Sequence, residues 1–132
     1  MKKYLLDTNI CIYYINGKFE LKEKFREVKR ENRFISEITL AELKFGVKNS
    51  EYPEKNIKTL SDFLEGVQIL PIYNAPDLYA QEKARLRKSG RSIDDFDLLI
   101  GVSAVVNKLI LVSNNESHFD RIKGIEIENW TK

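Results

Sequence analysis

Apolar residues occur in two arrangements along the chain: short continuous runs, and longer stretches in which they recur every three or four positions. The first arrangement marks buried strands and the second marks helices with one inward face. The run Tyr4-Leu5-Leu6 predicts a strand that ends in Asp7-Thr8-Asn9, where a polar loop leads into a helix. Leu21, Phe25 and Val28 recur at helical spacing through a heavily charged stretch, so a solvated helix is expected over 18–33. A second short strand follows at 34–36. Leu40, Leu43 and Val47 give 39–48 one apolar face, and a helix opening near Pro53 turns Ile57, Leu60, Leu64 and Val67 inward. These two elements read as a helical hairpin. Beyond them come a strand at 68–72, a helix over 76–89 closed by Gly90, and an apolar helix over 96–106 opening at Asp94. A clean strand at 109–113, a short helical element at 118–121 and an alternating strand at 125–129 complete the pattern.

Strands separated by helices predict an α/β fold of the doubly wound kind, a mostly parallel sheet with helices on both faces. With 132 residues and no repeat, low-complexity tract or linker, residues 1–132 form one domain. Whatever the chain binds, a single fold must bind it. Composition adds mainly exclusions. Twenty-two basic and twenty acidic residues leave a net charge of +2, too little to argue for nucleic-acid binding without a local patch. Cys11 is the only cysteine, which excludes an intrachain disulfide and a cysteine zinc cage and fits a reducing cytoplasm. The apolar stretch before Asp7 is too short for an export signal or a membrane span.

In doubly wound sheets, ligands bind outside the carboxyl ends of the strands near the reversal of strand order, so acidic residues at strand ends are the first candidates. Asp7 follows the first strand directly, and it suits both a functional role and the N-cap of the next helix. Glu42 has the same ambiguity, because Thr39-Leu40-Ala41-Glu42 matches a capping box while also placing a carboxylate at the same sheet edge. Asp94, Asp95 and Asp97 repeat it once more, with Asp94 a natural N-cap and Asp97 in the first turn. Asp97 stands apart because Phe96, Leu98, Leu99 and Ile100 surround it, and an unpaired carboxylate in an apolar segment is costly. A cation would offset that cost.

Three carboxylates from separate segments make a hard-oxygen site suited to Mg²⁺ or Mn²⁺, and hydrolysis of a phosphodiester is the reaction such a site serves. Metal-free attack by a 2′-hydroxyl commonly uses a histidine acid and a histidine base, and His118 is the only histidine. It is expected to pack beside Phe119 or cap the turn. A haloacid-dehalogenase type of phosphatase would need Asp-x-Asp where Asp7-Thr8-Asn9 stands, and a phosphate-receiving signalling domain would need an acceptor Asp after the third strand, where Pro71-Ile72-Tyr73-Asn74 stands.

The motifs together resemble one family over nearly the whole chain, the VapC toxins of the PIN-domain superfamily. Leu5-Leu6-Asp7-Thr8-Asn9-Ile10 is similar to the family's opening strand and first acid, Thr39-Leu40-Ala41-Glu42-Leu43 to the second acidic motif, and Phe96-Asp97-Leu98-Leu99-Ile100-Gly101 to the third, preceded by Gly90-Arg91-Ser92-Ile93. Leu111-Val112-Ser113-Asn114-Asn115, His118-Phe119 and the stretch from Gly124 to Trp130 resemble its C-terminal end. The resemblance implies a single PIN domain and a metal-dependent endoribonuclease with Asp7, Glu42 and Asp97 as catalytic acids. It also implies Mg²⁺ or Mn²⁺, homodimerisation, and a small VapB-like antitoxin folded across the active groove in a hetero-oligomer. Transfer RNA anticodon loops are a frequent target in the family. One departure is Asn115, where many members carry Asp. An amide oxygen can still bind or orient water on a hard cation but adds no charge. A single well-held ion is therefore expected, through Asp7 and Asp97, with Glu42 and Asn115 acting largely through water.

Lys83, Arg85, Arg87, Lys88 and Arg91 lead toward the Asp97 helix and form the candidate RNA-facing patch, the plain alternative being a solvated helix face. Tyr13, Tyr14 and Tyr79 could stack on bases, or belong to the core or a dimer interface. The competing reading of the whole chain is a catalytically weak module that binds RNA or a partner.

Overall fold

The computed structural model describes all residues, 1–132. Strand β1 (Tyr4–Leu6) leads into α1 (Thr8–Ile15) and α2 (Leu21–Arg26), then β2 (Arg33–Ser36), α3 (Glu37–Lys48) and α4 (Pro53–Leu64). After them come β3 (Gln68–Leu70), α5 (Pro76–Lys88), α6 (Asp95–Val106), β4 (Ile110–Val112), α7 (Glu116–Phe119) and β5 (Ile127–Glu128). The strands form one sheet in the order β3-β2-β1-β4-β5, and every pairing is parallel. Strand order reverses between β1 and β4: the chain first builds outward on the β2 side, then crosses back to start the other half. That crevice is where a doubly wound sheet binds its ligand.

Alternation along the central strands divides the core in two. Leu5 and Leu111 face a cluster with Leu86, Leu98, Val102, Phe119 and Ile122, contributed by α5, α6 and the α7 region. Leu6 and Val112 face the opposite cluster with Ile10, Leu21, Phe25, Leu43, Leu60, Phe63 and Trp130, contributed by α1 to α4 and the C-terminus. A side-chain period of two makes this division obligatory once both faces are covered.

Several elements are shorter than the sequence pattern predicts, each for a local reason. The helix expected over 18–33 is reduced to α2 and a 3-10 turn at Arg30–Asn32, and its start is delayed because Phe19 and Glu20 take left-handed backbone angles (φ 58° and 53°) that no α-helix accommodates. Leu21 and Phe25 are nevertheless buried as the periodicity requires. The strand expected over 68–72 stops at Leu70, since Pro71 has no N–H for the ladder. In α4 the inward place assigned to Ile57 belongs to Phe63: Ile57 is 48% exposed and Phe63 only 7%. The last strand is confined to Ile127 and Glu128, and the element expected over 118–121 is the single turn of α7. No helix is long and apolar enough to cross a membrane.

One buried acid fastens the second half together. Glu82, 1% exposed on α5, accepts from Arg85 Nε and Nη2 at 2.8 and 2.7 Å and from the Lys123 backbone N–H at 2.8 Å, while Arg85 Nη2 also donates to the Arg121 carbonyl at 2.8 Å. The Arg85 bonds hold the Glu82 carboxyl below the usual range. Replacing Glu82 by Ala leaves the Lys123 backbone N–H without its acceptor and releases a half-exposed guanidinium to water, so Glu82→Ala should lower the unfolding free energy by about 1–3 kcal/mol in urea titration. Since a depressed carboxylate stabilises above its unfolded pKa and loses that contribution as pH falls through the folded one, the gap between the two proteins should narrow in acid.

Candidate active site

Asp7 stands one residue beyond β1, at the strand-order reversal, and is 4% exposed. Its backbone N–H donates to the Val112 carbonyl at 2.9 Å, extending the β1–β4 pairing and fixing the residue beside Ser113. One carboxylate oxygen, Oδ1, caps α1 by accepting from Thr8 N at 2.8 Å; the other, Oδ2, accepts from Ser113 Oγ at 3.0 Å. A single carboxylate thus caps the helix and also stands at the strand-order reversal, so the capping role does not exclude the functional one. Its pKa is pushed up to about 6, first by burial and then by the negative charges of Asp97 and Glu42, against the lowering effect of the Ser113 and Thr8 bonds.

Glu42 is not part of a capping box. Ser36 is the N-cap of α3, its Oγ accepting from Ile38 N at 3.0 Å, so the helix begins three residues before Thr39 could start one. Ser36 ends β2 with no exposed surface and its hydroxyl is nearer the free N–H groups, which leaves Thr39 inside the first turns. Glu42 Oε1 instead accepts from Thr8 Oγ1 at 2.7 Å, and Thr8 Oγ1 meets Thr39 Oγ1 at 2.9 Å. The helix end and the carboxylate are held by different residues.

Of the three aspartates near α6, Asp94 is the N-cap, with Oδ2 3.2 Å from Phe96 N. Asp95 is drawn away to Lys83 Nζ at 2.8 Å and Tyr79 OH at 2.7 Å. Asp97 remains facing the crevice, its carboxyl raised mainly by burial, while His118 pulls it down and Asp94 pushes it up. His118 packs edge-on against Phe119, as its sequence position suggests, but its Nε2 also lies 3.2 Å from Asp97 Oδ2. Gly101 on α6 leaves room for the segment that follows α7, since a Cβ there would run into Ile122 Cδ1. Asn115 is exposed at the start of α7 and its side chain bonds none of the carboxylates; its backbone N–H donates to Ser113 Oγ at 3.0 Å. Ser113, Thr8, Thr39 and His118 are the residues that sequence reasoning did not assign to the site.

The basic patch is divided. Arg85 is committed to Glu82 and Lys83 to Asp95, whereas Arg87, Lys88 and Arg91 make no ion pair. A shallow depression of about 420 Å³ on α5 is lined by Tyr79, Lys83, Arg87 and Lys88. Tyr14 stacks on Phe25 at 3.9 Å within the core and so is not free to stack on a base, whereas Tyr79 bonds Asp95 through its hydroxyl and lines the depression on α5. Tyr13 stays near the site edge, its OH 3.4 Å from Asn114 Nδ2. Cys11 is fully buried and its thiol is pushed up by that burial, which removes it as a nucleophile.

The donor set of Asp7, Asp97 and Glu42 is all oxygen, which suits Mg²⁺ or Mn²⁺. No three acidic, histidine or cysteine side chains close into a ready-made cage. An ion here would keep much of its water, as Mg²⁺ ordinarily does.

The raised pKa of Asp7 has a measurable sign. The folded protein holds this proton more tightly than the unfolded chain, whose Asp titrates near about 4, so without metal stability falls as pH rises through about 6. Asp7→Asn keeps a capping oxygen and deletes the buried charge. In chelator at neutral pH the variant should be the more stable protein by up to about 3 kcal/mol, and the difference should vanish near pH 4. Thermal melts across pH check this; a variant less stable at pH 7.5 would contradict it.

Comparison with known proteins converges on one family. Residues 4–125 match the model of the PIN domain. The chain is 41% identical to Ribonuclease VapC2 of Haemophilus influenzae, covering 98% of this chain and 99% of that protein. It is 35% identical to the tRNA(fMet)-specific endonuclease VapC of Shigella flexneri, over 99% and 100% of the two chains. Among solved structures, a chain of the DNA-bound VapBC of Salmonella typhimurium superposes with a TM-score of 0.92 at 35% identity, covering 98% of this chain and 99% of that one. VapBC2 of Rickettsia felis bound to a promoter DNA fragment gives 0.90, also at 35% identity, over 96% and 98%. The all-parallel sheet, the acids gathered at its strand-order reversal and the full-length similarity establish the chain as a PIN-domain protein belonging to the VapC family.

Proposed function

We propose that this chain is a divalent-metal-dependent endoribonuclease, the toxin of a toxin–antitoxin pair, that hydrolyses phosphodiester bonds in structured RNA. The observation that carries this reading is Asp7: a carboxylate almost without access to water, pushed up to about 6 by its burial and by Asp97 and Glu42. Such an arrangement is unfavourable in an empty protein and becomes favourable when a cation is bound. Asp7 and Asp97 would hold the ion, and Glu42 and Asn115 would act largely through water. Mg²⁺ or Mn²⁺ bound here would supply Lewis acidity at the scissile phosphate and make a nearby water more acidic.

The protein groups have separable tasks. Ser113 and Thr8 N fix both oxygens of Asp7, so its orientation requires no rearrangement when substrate arrives. Thr8 Oγ1 holds one oxygen of Glu42 and leaves the other free to orient water. His118 Nε2 steadies Asp97 from α7 at 3.2 Å. Arg87, Lys88 and Arg91 are the cations available to RNA phosphates, with Arg85 serving the fold. The names of the Shigella and Salmonella relatives, tRNA(fMet)-specific endonucleases, support a transfer RNA, cut at a single-stranded loop such as the anticodon loop, as the substrate class. The VapBC structures support a small VapB-like antitoxin as partner; a homodimeric toxin whose active groove that partner occupies is what the family resemblance implies.

Purified chain freed of antitoxin should cleave initiator tRNA when Mg²⁺ is added and stop with chelator. Asp97→Asn should reduce cleavage by at least about 100-fold. Because Ser36 caps α3, Glu42→Gln should leave the melting temperature unchanged while cleavage falls by a comparable factor. Asn115→Asp adds a charge beside the site, so its Mg²⁺ titration should shift to lower concentration. Cleavage that is indifferent to chelator, or full activity in Asp97→Asn, would remove the metal assignment.

A further inference from the structure

Thr39 lies one turn before Glu42 in α3 and has no exposed surface. A threonine inside a helix commonly bonds a carbonyl of its own preceding turn. This one reaches across to α1, with Oγ1 2.9 Å from Thr8 Oγ1. Thr8 Oγ1 in turn donates to Glu42 Oε1 at 2.7 Å. A hydroxyl carries one hydrogen and an ionised carboxylate can only accept, so the Thr8 hydrogen is committed to Glu42. The hydrogen between the two threonines must then come from Thr39. The direction is fixed: Thr39 donates to Thr8, and Thr8 donates to Glu42.

Neither capping nor packing accounts for this hydroxyl. Ser36 already caps the helix, and a valine would fill the same volume without introducing a polar atom into a place closed to water. What the hydroxyl adds is a constraint on Thr8. With its lone pair taken by Thr39, the Thr8 side chain is held with its hydrogen toward Glu42; without Thr39 it can rotate, and the half-buried Glu42 loses the donor that orients it. Ser113 performs the equivalent service for Asp7, donating at 3.0 Å.

We propose that Thr39 is a positioning residue for RNA cleavage, the buried donor at the head of a Thr39–Thr8–Glu42 relay that holds the Glu42 carboxylate in its working orientation. This rests on the assignment of Glu42 to the cleavage reaction. Thr39 touches neither substrate nor metal, so its effect falls on the rate of the bound complex and not on binding.

The test is steady-state cleavage of 5′-labelled initiator tRNA at saturating Mg²⁺. Thr39→Val should lower kcat about tenfold with KM within about twofold, the size expected for loss of one bond in a charge-terminated relay. Thr39→Ser, which restores the hydroxyl, should return kcat to within about twofold of the parent. The double variant Thr39→Val/Glu42→Gln should be no slower than Glu42→Gln alone, because the relay has nothing left to orient. Parental kcat in Thr39→Val, equal loss in Thr39→Ser, or losses that multiply in the double variant would overturn the relay. If Thr39→Val does not fold, Thr8→Val breaks the same chain at a partly exposed position and must lose at least as much kcat. Normal cleavage by Glu42→Gln would overturn the role of Glu42 and the relay with it, whereas an inactive Glu42→Gln beside a fully active Thr39→Val would overturn the relay alone.

Discussion

A carboxylate that cannot reach water, placed where two others can feel it, is the constraint around which this protein is arranged. Asp7 occupies that position because β1 is the central strand and because the backbone carries it one step past the sheet, between the two halves of the fold. The polar groups nearest it either donate to its oxygens or deepen the negative potential around it. Ser113 and the N-terminus of α1 do the first; Asp97 and Glu42 do the second. The balance favours a proton over an empty charged state, so protonation and folding stability are linked through one residue, and any cation bound there would be linked to stability in the same way.

The two hydrophobic clusters explain why the acids converge. α1 and α3 are anchored through Ile10 and Leu43 to one face of the sheet, while α6 is anchored through Leu98 and Val102 to the other. All three helices start at the same sheet edge, since each follows or packs against a parallel strand at its carboxyl end. Their first turns carry Thr8, Thr39 and Asp97, with Glu42 a turn further along α3. Burial of apolar side chains sets the spacing of the helices, and the bonds from Thr8, Ser113 and His118 then fix the carboxylates. The same packing brings α7 onto Gly101 and delivers His118 to Asp97.

What could be read from the sequence follows from the range of the interactions involved. Strand ends followed by acids, the Asp94 cap and the Gly90 stop are local signals, and the structure places them as their neighbours dictate. Glu42 is legible as an acid at the sheet edge, but Thr39-Leu40-Ala41-Glu42 also fits a capping box, and the structure gives the cap to Ser36 instead. Only the strand before the helix decides between the two caps. The helix expected over 18–33 broke where Phe19 and Glu20 adopt left-handed angles that apolar periodicity does not register. Arg85 looked available as part of a basic run, although its partner Glu82 is just one helical turn earlier; what the sequence hides is that Glu82 is buried. Ser113 and His118 have partners far away in the chain, and no local pattern announces them.

The strand order also governs when the site comes into being. Asp7 and Ser113 are separated by 106 positions, and β1 has no neighbour on its β4 side until residue 112 has been synthesised. During translation, β2 and β3 can join β1 early, but the crevice has only one wall. Contacts of such long sequence separation form late and slowly compared with helical hairpins. A nascent chain therefore carries Asp7 and Glu42 through most of its synthesis before Asp97 and the β4 side exist, and the three acids share one crevice only as the final strands dock.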